Sequence, residues 1–568
     1  MSTRPPTAGA SRPRAARRPI LVLGLDGATF EVIDRLSPTG RLPNLTAWRA
    51  AGRSCPLLST RPPMSFPAWS TFMSGLGPGR HGIFDFTQKV PGAYRIEFAN
   101  ATHRSGDSLF ARANGAGSPI LCLGMPATFP PEPVDGLLVS GFDSPVSTGT
   151  DASSASDPVL YREIADRVGP WMAPDLDEAA HDDGWHERAA GRLLARIDRK
   201  TAFALEALRA LRDRGKPPEL AVVVFSESDT VCHHFWRDHD PNSPRHDPSA
   251  SAVRRDAVSA VYERLDAACG EIREAFGEDA LCVVASDHGA GGAAKRVVHL
   301  AARLAECGLL SRSGGRNGGG FLGFDALARA TRDTALRVLP PRVAQHIFRR
   351  ARFAAARLES AARFGGIDWS RTAAFSEEVN TQPGVWLNVR GREADGCVAA
   401  DDYERVRDDV IAALREWTLP GGAPVVARAR RREEVYDGPH VDRAPDVVVE
   451  LALDDGYGLS LVGTPWSDPD VASVRTLGDD ELAGGRGRGM NGTHRQEGIW
   501  IATGPAADSL EIPSPMNLEH VTPTLLRALG IDASTDDTER ATTRDRVDYT
   551  DDEEHLVADR LRALGYLE

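Results

Sequence analysis

Cysteine is scarce and scattered: seven in 568 residues, at positions 55, 122, 232, 269, 282, 307 and 397, with no CxxC pair and no regular spacing. An odd set lying mostly in apolar segments speaks against a disulfide framework and for buried free thiols in a reducing compartment. Long apolar runs are missing as well. None approaches the roughly 20 residues that a membrane-spanning helix needs, so no span is expected. Positive charge is in short supply, with 67 Lys and Arg against 80 Asp and Glu and a formal net charge of −13. No global basic field exists to hold a nucleic-acid polymer or an anionic membrane. An anionic substrate has to be drawn in locally, and bound metal cations are the obvious means. Residues Met1 to Arg18, rich in Arg, Pro, Ser and Ala, contain no apolar h-region and no cleavage site. They read as a disordered tail on a cytoplasmic protein. The chain shows no repeat of fixed period. Neither glycine-rich stretch, Gly314–Gly320 or Gly484–Gly492, has the strand–loop–helix context or the Lys-Ser/Thr of a nucleotide P-loop.

What is present is a series of short, nearly all-apolar runs. Ile20–Leu25, Ser118–Met125, Ala221–Phe225 and Leu281–Ala285 have the pattern of parallel strands buried on both faces. Helical periodicity separates them at Glu187–Arg214 and Ala252–Phe276, and strand patterns return at Gly384–Val389, Asp446–Glu450 and Ile499–Ala502. The alternation implies an α/β fold with a mixed, mainly parallel sheet. Residues 1–18 form the tail, 19–300 the first part of the core, 301–365 a mostly helical insertion, and 366–568 the second part of the core with a C-terminal helix. The Ser-, Asp- and Pro-rich stretch from Asp151 to Asp183 reads as a surface excursion.

The chemistry-bearing residues gather where these strands end. Asp26-Gly27 follows the first, Asp229 and His233 lie just beyond Phe225, and Asp287-His288-Gly289 follows Ala285. Ligand sites of open α/β sheets collect at those carboxyl ends. Asp229 and His233 are four apart and share a face if that turn is helical. His494 follows the glycine-rich stretch and is expected at a fourth strand-to-loop junction. Ser65 follows Pro62-Pro63-Met64 and precedes Phe66-Pro67 and the helical run Ala68–Met73. That places it at a helix N-terminus, where free N–H groups and the helix dipole favour an anion. Taken singly, Ser65 is an N-cap, Asp-Gly a turn and the Asp/His pair a solvated helix face. Three carboxylates and three imidazoles together form a mixed oxygen and nitrogen set suited to Zn²⁺ or Mn²⁺, and too large for one tetrahedral ion. Two ions roughly 4 Å apart fit better, since such a pair clamps both oxygens of a phosphoryl displacement. Metal coordination also activates a hydroxyl that is otherwise a poor nucleophile.

The ordered set Asp26, Ser65-Phe66-Pro67, Gly75-Leu76-x-Pro78-x-x-His81-Gly82, Asp229-x-x-x-His233, Asp287-His288-Gly289 and His494 resembles the alkaline phosphatase superfamily. Within it, the set is most similar to the type I phosphodiesterase/nucleotide pyrophosphatase branch, over roughly residues 19–300 and 370–535. The resemblance implies a three-layer α/β sandwich and two metal ions, one held by Asp229, His233 and His494. The other would be held by Asp26, Asp287 and His288 together with the oxygen of Ser65. It implies in-line attack by Ser65, a covalent phosphoserine, and hydrolysis of a phosphodiester or pyrophosphate bond in a small phosphorylated substrate. A phosphomonoesterase or phosphomutase on the same site, and a binder without turnover, are the alternatives. Two positions depart from the pattern. Phe86 stands where phosphodiesterases of the branch carry an Asn for a phosphate oxygen, and Cys232 where Gly is usual. Sulfatases share the fold but need an Arg where this chain has Trp69.

Overall fold

The computed structural model describes residues 18–144, 152–171, 184–312, 360, 363–466, 471–482, 490–533 and 546–563. The glycine stretch at 314–320 and most of the expected 301–365 insertion lie outside these, as do residues 1–17, 172–183 and 483–489.

The core is an eight-stranded sheet built from β1 (Ile20–Leu25), β2 (Arg53–Leu58), β3 (Ile120–Met125), β4 (Gly136–Ser140), β5 (Leu220–Phe225), β6 (Leu281–Ala285), β9 (Glu497–Thr503) and β10 (Met516–Asn517). They lie in the order β10-β2-β9-β6-β1-β5-β3-β4. Every strand runs the same way except β9, which is antiparallel to both β6 and β2. All residues of β1, β3, β5 and β6 are buried, which requires cover on both faces. Helices α3 (Trp185–Asp213), α4 (Glu227–His239) and α5 (Ala252–Phe276) pack on one another as one layer. A second group consists of α1 (Ser65–Ser74), α2 (Leu109–Gly115) and α7 (Val521–Ala528). This is the mainly parallel sheet that the strand runs implied, in the three-layer architecture that the resemblance implied.

Strand β1 sits between β5 and β6, with Leu23 level with both Val223 and Val284. The three loops carrying Asp26, Asp229 and Asp287 therefore leave the sheet side by side, at the roughly 4.8 Å spacing of paired strands. Two strands that belong to other sheets finish the arrangement: β7 (Gly289–Val298) and β8 (Gly492–Arg495). Strand β7 starts directly after His288 and pairs antiparallel with β8, with Ala290 opposite His494. Residues 374–375, 384–387, 426–431 and 447–451 form a separate antiparallel sheet with its own hydrophobic cluster, covered by α6 (Tyr403–Arg415).

Two local expectations change. The stretch from Gly492 to Thr503 is two strands in two sheets, broken at Gln496, whose side chain bonds the Ser59 and Thr60 carbonyls. His494 consequently lies inside β8 and not at a strand-to-loop junction. Part of the supposed surface excursion is a helix, Pro158–Val168, capped by Asp157 and burying Leu160, Tyr161 and Ile164. A Ser/Asp-rich flank hid that apolar stripe. Among the described residues no helix is long and apolar enough to cross a membrane, and all seven cysteines are unpaired.

Candidate metal centre

Helix α1 begins at Ser65, three residues before the apolar run suggested, because Phe66 and Pro67 fit its first turn. Met64 takes the cap position, its sulfur accepting the Phe66 N–H. Ser65 Oγ lies 3.3 Å from Asp26 Oδ1 and 3.2 Å from His288 Nε2. The hydroxyl is thus brought against the loops that end β1 and β6.

The β1 loop is fastened from three directions. Gly27 N–H donates to Asp287 Oδ1 at 3.2 Å, Ser228 Oγ–H to the Asp26 carbonyl at 2.6 Å, and Ser286 Oγ–H to the Ala28 carbonyl at 2.9 Å. Gly27 has φ +64°, and a Cβ there would stand 2.7 Å from Asp229 Oδ1. Both the left-handed turn and the approach of Asp229 to Asp26 depend on the missing side chain.

Two groups of three ligand-type residues result. Asp229, His233 and His494 form one, and Asp26, Asp287 and His288 the other; within each, one donor atom per residue lies within 4.8 Å of the rest. In the first, His233 Nε2 is 3.3 Å from Asp229 Oδ2 and 3.0 Å from His494 Nε2, which is itself 3.6 Å from Asp229 Oδ1. In the second, His288 Nε2 is 3.5 Å from both Asp26 Oδ1 and Asp287 Oδ2. The groups adjoin, with the His288 and His494 rings stacked at 3.9 Å. Asp26, Ser65, Asp287 and His288 are fully buried, whereas the His494 side chain is 13% exposed, so the centre opens on the His494 side.

All three imidazoles are oriented alike. Nδ1 of His233 faces the Gly492 carbonyl at 3.1 Å, that of His288 the Gly289 carbonyl at 3.0 Å, and that of His494 the Pro63 carbonyl at 2.9 Å. A carbonyl only accepts, so each Nδ1 carries the proton and each Nε2 turns a lone pair inward. Two such lone pairs meet between His233 and His494, a contact that only a proton or a cation relieves.

The carboxylates show the same need. Burial raises Asp26 well above the ordinary carboxyl range, with Asp287 and Asp229 adding to it and His288 and Trp69 opposing. Asp287 is pushed up to about 8 by burial, against the pull of the Gly27 N–H and with a further push from Asp229. Burial acts the same way on Asp229, but His233, then His494 and His288, overcome it and hold that group well below its usual range. His494 is driven down by burial and by His288. The donor set is the kind that divalent cations take, and its crowded buried carboxyls suit cations better than protons.

Other hydroxyl, imidazole and motif residues near Ser65 fall outside the centre. Ser70 and Ser74 Oγ–H donate to the Phe66 and Ser70 carbonyls within α1. His81 accepts the Ile83 N–H at Nδ1 and places Nε2 3.0 Å from Thr71 Oγ1. Burial, then Arg104, pushes it down to about 3, so it stays neutral. Phe86 is buried, its ring 5.0 Å from that of Phe66 and 6.0 Å from that of Phe142, and a phenyl ring has no N–H or O–H to donate. Arg432 reaches the fully buried Asp446 at 3.3 Å. Sequence reasoning missed Ser228, Ser286 and Trp69. Each stands one to four residues from a candidate ligand or nucleophile, the only signal that pointed to them.

Residues 20–471 match the model of the type I phosphodiesterase/nucleotide pyrophosphatase family, and the chain belongs to that family. It is accordingly a metal-dependent hydrolase of phosphoester-type bonds. His494 lies beyond the matched residues, and the β7–β8 pairing brings it to the centre. A comparison with curated proteins found no match. Among solved structures, the chain is similar to phosphonoacetate hydrolase from Sinorhizobium meliloti 1021 in complex with phosphonoformate, at 15% identity and TM-score 0.48, covering 91% of this chain and 96% of that one. Murine ectonucleotide pyrophosphatase/phosphodiesterase 5 is similar at 12% identity and TM-score 0.44, with the same coverages.

Proposed function

We propose that the protein is a two-ion phosphoesterase that cleaves phosphodiester or pyrophosphate bonds through a phosphoserine at Ser65. The observation that carries this reading is the contact of Ser65 Oγ with one of two adjoining buried ligand groups whose imidazole Nε2 atoms converge. Asp229, His233 and His494 would hold one divalent ion; Asp26, Asp287, His288 and the Ser65 oxygen would hold the other. Such ions, Zn²⁺ or Mn²⁺, supply charge neutralisation for the attacking and leaving oxygens. Ser65 Oγ has two acceptors for its proton, Asp26 Oδ1 and His288 Nε2. At the N-terminus of α1 its oxygen stands where backbone N–H groups favour a phosphoryl anion. Attack forms the Ser65 O–P bond and expels the leaving group, and water then hydrolyses the phosphoserine. Phe86 offers no donor to a phosphate oxygen, which favours the phosphomonoesterase as the second reading.

Turnover of bis(p-nitrophenyl) phosphate against p-nitrophenyl phosphate separates the readings. The expected result is about two ions per chain by elemental analysis and faster turnover of the diester. A faster monoester moves the assignment to a phosphatase. Absence of metal, with no activity restored by Zn²⁺ or Mn²⁺, overturns the reading.

Ion uptake is expected to strengthen as pH rises towards 8. In the metal-free folded chain the Asp287 carboxyl, pushed up to about 8, holds a proton that an ion must expel. The same raised value means that the metal-free chain loses stability as pH climbs from the ordinary carboxyl range to that point. Calorimetric Zn²⁺ titrations at about pH 6 and about pH 8 check this. Equal affinity at both would contradict it.

A further inference from the structure

On the two-ion reading, we infer that Trp69 is a positioning residue for the ion held by Asp26, Asp287 and His288. Its indole N–H occupies one oxygen of Asp26, so the carboxylate meets the ion through the other oxygen alone. Trp69 Nε1 lies 3.0 Å from Asp26 Oδ2, and both residues are fully buried. Asp26 meets Ser65 Oγ at 3.3 Å and His288 Nε2 at 3.5 Å through Oδ1. The two carboxylate oxygens therefore have separate tasks.

Trp69 stands four residues after Ser65 on α1, on the same face. One helix thus holds the nucleophile against Oδ1 and the indole against Oδ2, which fixes Ser65 relative to whatever Oδ1 binds. The sheet is shaped to admit the ring. A Cβ at Gly24, in the otherwise large-residue strand β1, would lie 2.9 Å from the Trp69 Cη2. Glycine inside a strand weakens it and often marks such a close approach. Burial alone does not bring this bond: Trp500 in β9 is equally buried, and its indole nitrogen has no hydrogen-bond partner. An indole N–H is a donor only, so it can neither compete for the ion nor take a proton. That makes it a fixed brace, of the kind that orients metal ligands from behind.

The test uses the full chain in two forms: Trp69→Phe, and the protein carrying 3-benzothienylalanine at 69, which keeps the ring shape and replaces N–H by sulfur. Zn²⁺ stoichiometry and affinity are measured by competition with a chromogenic chelator. Wild type is expected to take up two ions. Both altered proteins should keep one ion at wild-type affinity and hold the other about 10- to 100-fold more weakly, the usual cost of losing such a partner. Two ions bound at wild-type affinity, or equal weakening of both, overturns the inference and leaves Trp69 a packing residue. If the Phe form does not fold, the isosteric protein decides alone. Uptake of fewer than two ions by wild type would instead overturn the two-ion reading itself.

Discussion

Ser65→Ala is expected to lower kcat by roughly 10³-fold or more, the scale seen when a covalent nucleophile is deleted, while ion content and fold stay near normal. The hydroxyl contacts Asp26 Oδ1 and His288 Nε2, and both keep their other partners without it. Helix α1 keeps its cap at Met64 and its C-terminal turn at Gly75. Loss of one neutral hydrogen bond costs only about 1 kcal/mol. Ser65→Thr should retain part of the activity, since it offers the same oxygen. Acid quenching during turnover should leave phosphate on the wild-type serine and none on the alanine protein. Wild-type turnover by Ser65→Ala, together with loss of turnover in Asp287→Ala, would mean that water attacks in place of serine. The phosphoester assignment would survive that result, and the covalent route would not.

His494→Ala is expected to behave differently, losing an ion as well as activity. His494 Nε2 lies 3.0 Å from His233 Nε2 and 3.6 Å from Asp229 Oδ1, and its Nδ1 is tied to the Pro63 carbonyl two residues before Ser65. On the two-ion reading, removing the ring deletes a ligand atom and also the partner of the Pro63 carbonyl beside Ser65. Loss of a partner behind a ligand costs about 10- to 100-fold in affinity, so loss of the ligand itself should exceed about 100-fold at that ion. The ion at Asp26, Asp287 and His288 should remain. Elemental analysis after gel filtration should therefore find about one ion per chain, against about two for wild type and Ser65→Ala. Two ions retained by His494→Ala would place this histidine outside the metal set.

Much of the scaffold was legible because buried parallel strands leave a plain trace. The runs at Ile20–Leu25, Ala221–Phe225 and Leu281–Ala285 can be covered on both faces only inside a sheet between helices, and the carboxylates just beyond them had one place to go. The Asp229/His233 pair was equally readable, since four-residue spacing on a helix dictates a shared face. Helix boundaries were read well where a long amphipathic stripe exists, as in Ala252–Phe276. They were read poorly where a short helix such as Pro158–Val168 sits in polar sequence.

By itself, then, the sequence determined which residue types stand at the ends of which buried strands, because periodicity and local spacing are short-range properties. The tertiary structure alone decided the rest. That β1 lies between β5 and β6 is a matter of long-range pairing, and it makes three separate loops neighbours. That His494 arrives from inside β8 follows from the β7–β8 register and the glycines that let those backbones lie close to α4 and β9. The inward turn of three Nε2 atoms depends on carbonyls of Pro63, Gly289 and Gly492, and the hydrogen bond on Asp26 Oδ2 on a tryptophan one helical turn past Ser65. Apart from the His288–Gly289 contact, these join groups tens to hundreds of residues apart, and no local pattern encodes the distance between them.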